Sequence, residues 1–239
     1  MRQEHQRWYS PALGRDMDLL VFGHAGAKLL VFPTSMGTFR EWYDRNMHWV
    51  IGDHLENGWL QMYCLHHVHD EGWYNKGIHP GARAWRQVQY DQYLRDEVIP
   101  FTYSRNPNDF VITTGASFGA YHAATFAFRN PHIVRRMIGM SGLYDIREMT
   151  GGFSDQTVYS VNPTEFMANE HEPGRMDAFR RMDIIFATGE TDYYVDANRA
   201  FSAMLWQKGI GNALRIWDGF AHDWPAWERM LRLYVGGHD

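Results

Sequence analysis

Phe110-Val111-Ile112-Thr113-Thr114-Gly115-Ala116-Ser117-Phe118-Gly119-Ala120-Tyr121-His122-Ala123-Ala124-Thr125-Phe126 is the stretch on which the reading of this chain turns. A β-rich run leads into Gly115-Ala116-Ser117-Phe118-Gly119, a match to G-x-S-x-G, and helix-forming residues follow. A serine on so sharp a turn between strand and helix needs neighbours with almost no side chain. Gly115 and Gly119 let the start of the helix lie close against the strand. The helix N-terminus then offers backbone N–H groups to a developing oxyanion. Ser117 is therefore expected to be a nucleophile rather than a capping serine in an ordinary turn.

Outward from this turn, short apolar runs alternate with amphipathic stretches, as strands alternate with helical crossovers. Glu4 to Phe22 reads as two strands around Ser10-Pro11-Ala12-Leu13-Gly14. Lys28-Leu29-Leu30-Val31-Phe32 and Leu60-Gln61-Met62-Tyr63-Cys64-Leu65 read as strands, and 84–103 as a helix. Asp109 to Thr114 is expected to be a strand and Tyr121 to Arg129 a helix. Further strands are expected at 137–140, 184–188 and 214–217, with helices at 195–208 and 224–235. The expectation is an α/β fold, a mostly parallel sheet with helices on both faces. No linker or repeat divides the chain, so residues 1–239 are read as one domain. The 144–182 segment shows no clear period and reads as a lid or an excursion from the sheet.

A nucleophilic serine needs a base and an acid, each on a loop beyond a later strand. His222 follows the strand at 214–217 and the turn Asp218-Gly219-Phe220-Ala221, and precedes the last helix. It is the expected base. Ile184-Ile185-Phe186-Ala187-Thr188 ends in Gly189-Glu190-Thr191-Asp192, and a carboxylate there can reach the imidazole Nδ1–H. Asp192 is the first choice, with Glu190 and Asp196 as competitors. The oxyanion hole calls for the N–H of Phe118 and a second from Pro33-Thr34-Ser35-Met36-Gly37. Pro33 has no N–H to give; Met36 is the expected donor and Ser35 the second choice.

The chain resembles the esterase family of α/β-hydrolases that includes S-formylglutathione hydrolases, feruloyl esterases and bacterial mycolyltransferases. The likeness rests on residues 10–15, Phe32-Pro33-Thr34-Ser35, Glu71-Gly72-Trp73-Tyr74-Asn75 and Glu97-Val98-Ile99-Pro100. It extends through the serine turn, Ser141-Gly142-Leu143-Tyr144-Asp145, and Ala221-His222-Asp223-Trp224-Pro225-Ala226-Trp227. Ala221 stands where the family usually has glycine, and Gly72 where serine is common. The resemblance implies an α/β-hydrolase fold and hydrolysis of esters or thioesters, with no metal or organic cofactor. An acyltransferase with the same triad is the nearest alternative, and a binding protein on the same scaffold is another. Trp73, Tyr74 and Trp224 are expected to shape a pocket for a small-molecule ester.

Composition narrows the partners. The formal net charge is -5 and no basic run appears, so no nucleic-acid footprint is present. A single cysteine, Cys64, excludes an intrachain disulfide and suits a reducing compartment. The N-terminus is polar and no stretch is long and apolar enough to span a membrane, so a cytoplasmic protein is expected, with a homo-oligomer left open. His66-His67-Val68-His69-Asp70, with His79 beyond, invites a metal reading. It lacks the spacing of a metal frame, and these histidines are expected to line the loop beside the pocket.

Overall fold

The computed structural model describes residues 1–220 and 222–237, so Ala221 lies outside the described residues. Eight strands form one sheet in the order β1-β2-β4-β3-β5-β6-β7-β8. They are β1 (Gln3–Ser10), β2 (Arg15–Phe22), β3 (Ala27–Phe32), β4 (Leu60–Leu65), β5 (Val111–Ala116), β6 (Val134–Met140), β7 (Asp183–Gly189) and β8 (Ala213–Trp217). β1 pairs antiparallel with β2, and β2 antiparallel with β4; every later pairing is parallel. The longer helices are α1 (Pro80–Tyr93), α2 (Phe118–Arg129), α3 (Pro173–Arg181), α4 (Val195–Gln207) and α5 (Trp224–Tyr234). The α/β expectation, a mostly parallel sheet with helices on both faces, is met.

Strand alternation explains the layering. Successive side chains of a strand point to opposite faces. Leu30, Phe32, Tyr63, Leu65 and Met137 join one buried cluster with residues of α2, α3 and α4. Their neighbours Leu29, Val31, Met62, Cys64 and Ile138 join a second cluster with Trp42, Ile51, Leu55 and the apolar side of α5. β4 and β5 are buried along their whole length, as strands covered on both faces must be.

Two expectations about helices change. The 84–103 helix is instead α1, a π-helical turn at Leu94–Val98, and a short helix at Ile99–Arg105. Pro100, lacking an N–H, sits just past the irregular turn, where a regular ladder would need a donor. Within that turn Glu97 accepts from Trp8 Nε1 (2.9 Å), Ser10 Oγ (2.7 Å) and Ala12 N (3.2 Å), so it ties the first hairpin to the helix layer. The 144–182 segment is not aperiodic chain. It holds helices at Arg147–Thr150, Gln156–Ser160 and Pro163–Ala168 before α3. Val158 and Val161 pack with Phe118 and Tyr121, while Phe166, Met167 and Phe179 enter the larger cluster.

The sheet order fixes where a site can form. From β3 the chain goes to β4 on one side; from β5 it goes to β6 on the other. The carboxyl ends of β3 and β5 therefore open onto a crevice from which connections leave in both directions, the usual ligand position in such sheets. The 33–37 loop and Ser117 both lie there. Among the described residues no helix is long and apolar enough to cross a membrane.

Candidate active site

Ser117 follows β5 directly and caps α2, with φ 56° and ψ -121°. A non-glycine residue in this region costs about 1–3 kcal/mol and persists only where its surroundings enforce it. The enforcement is visible. A Cβ on Gly115 would lie 2.3 Å from the Gly119 carbonyl carbon, and one on Gly119 would lie 2.5 Å from the Phe32 oxygen. Both glycines of the motif are thus demanded by contact between α2, β5 and β3. Ser117 N–H donates to Met140 O at 2.8 Å, which anchors the turn to β6.

Asp192 follows β7 and is 2% exposed. Its Oδ2 is 3.1 Å and its Oδ1 3.3 Å from His222 Nδ1. Burial works against the Asp192 charge, but hydrogen bonds from His222, the Ser141 hydroxyl and the Tyr194 N–H outweigh it. Together they hold the carboxyl below its ordinary value. The competing carboxylates point elsewhere: Asp196 is exposed and pairs with Arg199 at 2.8 Å, and Glu190 is exposed. Of the three candidates it is Asp192 that meets His222.

His222 is enclosed by aromatic rings. Tyr193 lies 4.3 Å away, Tyr194 5.7 Å, and Trp227 meets it edge-on at 5.0 Å. Trp227 Nε1 in turn donates to Ser141 Oγ at 2.9 Å, so Ser141 neighbours both Asp192 and the ring packed against His222. The Tyr193 hydroxyl lies near Ser117 and its ring lies 4.3 Å from that of His222, so both residues neighbour one side chain. Tyr193 is 69% exposed and overlies the site. Sequence reading missed Tyr193, Tyr194 and Ser141; the Tyr-Tyr pair directly after the acid was the signal available.

The 33–37 loop shows which backbone donors are open. Thr34 N–H and its hydroxyl go to Glu41, at 2.7 and 2.6 Å. Burial raises the Glu41 carboxyl while these Thr34 bonds favour its charged form. Gly37 N–H goes to Thr34 O at 3.1 Å. Met36 N–H donates to His69 Nδ1 at 3.1 Å, so the expected oxyanion donor is already committed to an imidazole. That leaves Ser35 N–H as the amide of this loop with no partner among the described residues. Phe118 N–H, at the first turn of α2, likewise has none.

The three expected pocket residues part ways. Tyr74 reaches the site, with its ring edge-on to Phe118 at 5.4 Å and its hydroxyl donating to Ser35 Oγ at 2.5 Å. Trp224 is one ring removed, 5.2 Å from Trp227. Trp73 is 1% exposed and packs against Tyr121, so it belongs to the core beneath α2 and has no face to give a ligand. His67 and His69 are buried against the 33–37 loop, to which both bond. No group of three or more His, Cys, Asp or Glu able to hold a metal ion occurs among the described residues.

No family model matches the sequence, and no curated protein does. Solved structures match it closely in shape. A ferulic acid esterase superposes with a TM-score of 0.77 at 18% identity, over 97% of this chain and 95% of its own. The S-formylglutathione hydrolase of Staphylococcus aureus gives 0.70 at 14% identity, over 97% of both chains. That of Agrobacterium tumefaciens gives 0.72 at 13%, over 96% of this chain and 91% of its own. With the strand order and the serine turn already in place, these likenesses identify the architecture: the chain has the α/β-hydrolase fold.

Proposed function

We propose that this protein is a serine hydrolase of carboxylic esters, thioesters included, acting through Ser117, His222 and Asp192. One observation carries the reading above the rest: a serine held at φ 56° by two glycines that have no room for a side chain. That strained turn does nothing for stability, and it presents the hydroxyl at the head of a helix. The Asp192–His222 pair on the loops after β7 and β8 supports it, as does the fold shared with ester and thioester hydrolases.

In this mechanism Ser117 Oγ attacks the acyl carbon as His222 Nε2 takes its proton. The carbonyl π electrons move to oxygen, and the Phe118 and Ser35 N–H groups hold the oxyanion. Ser35 replaces Met36 because the Met36 amide is bonded to His69. Asp192 keeps the imidazole in the tautomer with Nδ1–H and stabilises the imidazolium. His222 then protonates the departing alkoxide or thiolate, leaving an acyl-enzyme on Ser117. Water, deprotonated by the same imidazole, attacks that ester and regenerates the serine.

The test is mass spectrometry after exposure to a fluorophosphonate, with wild type beside His222→Ala. A single adduct on Ser117 that is lost in the variant is the expected result. A well-folded wild type that takes no adduct would leave the serine without an activating base and end this reading.

A further inference from the structure

Beneath the 33–37 loop lies a set of buried imidazoles that the mechanism above does not use. It joins three stretches far apart in sequence: the 33–37 loop, the 66–69 loop after β4, and α2. Hydrogen-bond directions fix every proton in it. A backbone N–H can only donate, so the imidazole nitrogens that receive one must be bare lone pairs. His69 Nδ1 receives Met36 N–H at 3.1 Å, and His67 Nδ1 receives His69 N–H at 2.8 Å. A neutral His69 then carries its proton on Nε2, which faces His122 Nε2 at 2.6 Å and donates to it. By the same logic His67 Nε2–H donates to the Gly37 carbonyl. His122 is left with its proton on Nδ1, which is buried without a partner among the described residues.

The unit touches both sides of the oxyanion hole. Through Met36 N–H and Gly37 O it grips the loop that carries Ser35. On the other side His122 belongs to α2, and the rings of His69 and His122 each meet Phe118 edge-on at 5.0 Å. His67 and His69 stack at 3.4 Å between centroids, and His69 and His122 at 4.8 Å, so no member can turn without displacing the next. Burial depresses all three, which keeps the neutral pattern in place.

We propose that His69 is a positioning residue of this site: bonded to Met36 N–H on one side and His122 on the other, it sets the distance between the Ser35 and Phe118 amides. The proposal rests on the serine-hydrolase reading. Its logic is that oxyanion donors work only at the place the charge develops, so a small shift of the loop weakens the transition state and spares the ground state.

The experiment compares wild type, His69→Phe and His69→Asn with p-nitrophenyl acetate and with an aryl trifluoromethyl ketone, whose hemiketal oxyanion occupies the hole. His69→Phe fills the space without an acceptor. It is expected to lower kcat by roughly 10- to 100-fold, leave KM nearly unchanged, and weaken the ketone by a similar factor. Asn can still accept the Met36 N–H through Oδ1, and is expected to recover much of that loss. A folded His69→Phe with unchanged kcat and ketone affinity overturns the proposal, and so does an equal loss in both variants, which is the mark of packing alone. If His69→Phe does not fold, His122→Phe carries the test. It removes the acceptor of His69 Nε2–H, and the same split between kcat and KM is expected; its absence overturns the proposal. Fluorophosphonate labelling of wild type separates the two readings. A labelled Ser117 with unaffected His69 and His122 variants sinks only the positioning role, whereas an unlabelled wild type sinks both.

Discussion

Asp192 and His222 sit on loops bonded to each other, while the 33–37 loop is pinned by side chains from outside it. Glu190 N–H reaches Trp217 O at 2.9 Å, and Thr191 Oγ1 reaches Phe220 O at 2.8 Å, so the loops after β7 and β8 are stitched edge to edge. The oxyanion loop instead hangs from Glu41, His67, His69 and Tyr74, none of which lies within it. The difference bears on how each region fails. On the proposed mechanism the proton-transfer half depends on three side chains, Ser117, His222 and Asp192. The proposed oxyanion half would use backbone donors, so the side chains that matter there are those that hold the backbone.

The largest expected effect comes from breaking the first region at its centre. Ser117→Ala should lower kcat for an aryl ester by about 10³- to 10⁶-fold with the circular dichroism spectrum unchanged, since the alanine keeps the turn but removes the nucleophile. Next, Asp192→Asn is expected to cost about 10⁴-fold in kcat by favouring the wrong imidazole tautomer. The same variant carries a pH signature. The Asp192 carboxyl is held below its ordinary value, so it contributes stability above about pH 4, and that contribution fades as pH falls through the depressed value. Urea unfolding of wild type and Asp192→Asn should differ most near neutrality and converge in acid; a constant gap would show that the carboxylate is not stabilised by folding.

The second region should break more gently and from a distance. Glu41→Ala frees the Thr34 amide and hydroxyl, and is expected to lower kcat about 10-fold with KM little changed. Steady-state kinetics would contradict the comparison if KM rose instead. The smallest effect sharpens it from the other side. Ser117→Gly relieves a positive φ and should raise the unfolding free energy by about 1 kcal/mol while abolishing activity. A stability loss in that variant would mean the turn is not strained.

The strand, turn and helix around Ser117 were legible because the β-rich run, the two glycines and the helix formers lie in one stretch, 110–126, although Phe32 and Met140 complete the turn from elsewhere in the chain. Asp192 is the first choice of three carboxylates that spacing allows; what distinguishes it is His222 Nδ1, 3.1 Å from its Oδ2 and 30 residues further along the chain. The bond that occupies the Met36 amide was illegible for a related reason. Adjacent amides of one loop look alike in sequence, and the imidazole that occupies one of them stands 33 residues away. Trp73 and Tyr74 are neighbours with opposite fates, because the chain there turns one ring into the core and the other toward Ser35. The helices at Arg147–Thr150, Gln156–Ser160 and Pro163–Ala168 are too short to show a period, and their apolar residues find partners only once α2 is in place.

Gly189 closes β7 with no space above it: a Cβ there would lie 1.9 Å from the Phe220 oxygen. With the Thr191 and Glu190 bonds alongside, this contact welds the acid loop to the turn that leads to His222. The two therefore behave as one mechanical part. An engineer who wished to reshape the entrance could not swap either loop by itself; residues 189–192 and the turn from Trp217 to Phe220 would have to be transplanted as a pair. Diversification of this entrance is accordingly freer at Tyr193, which projects outward from the weld, than at any position inside it.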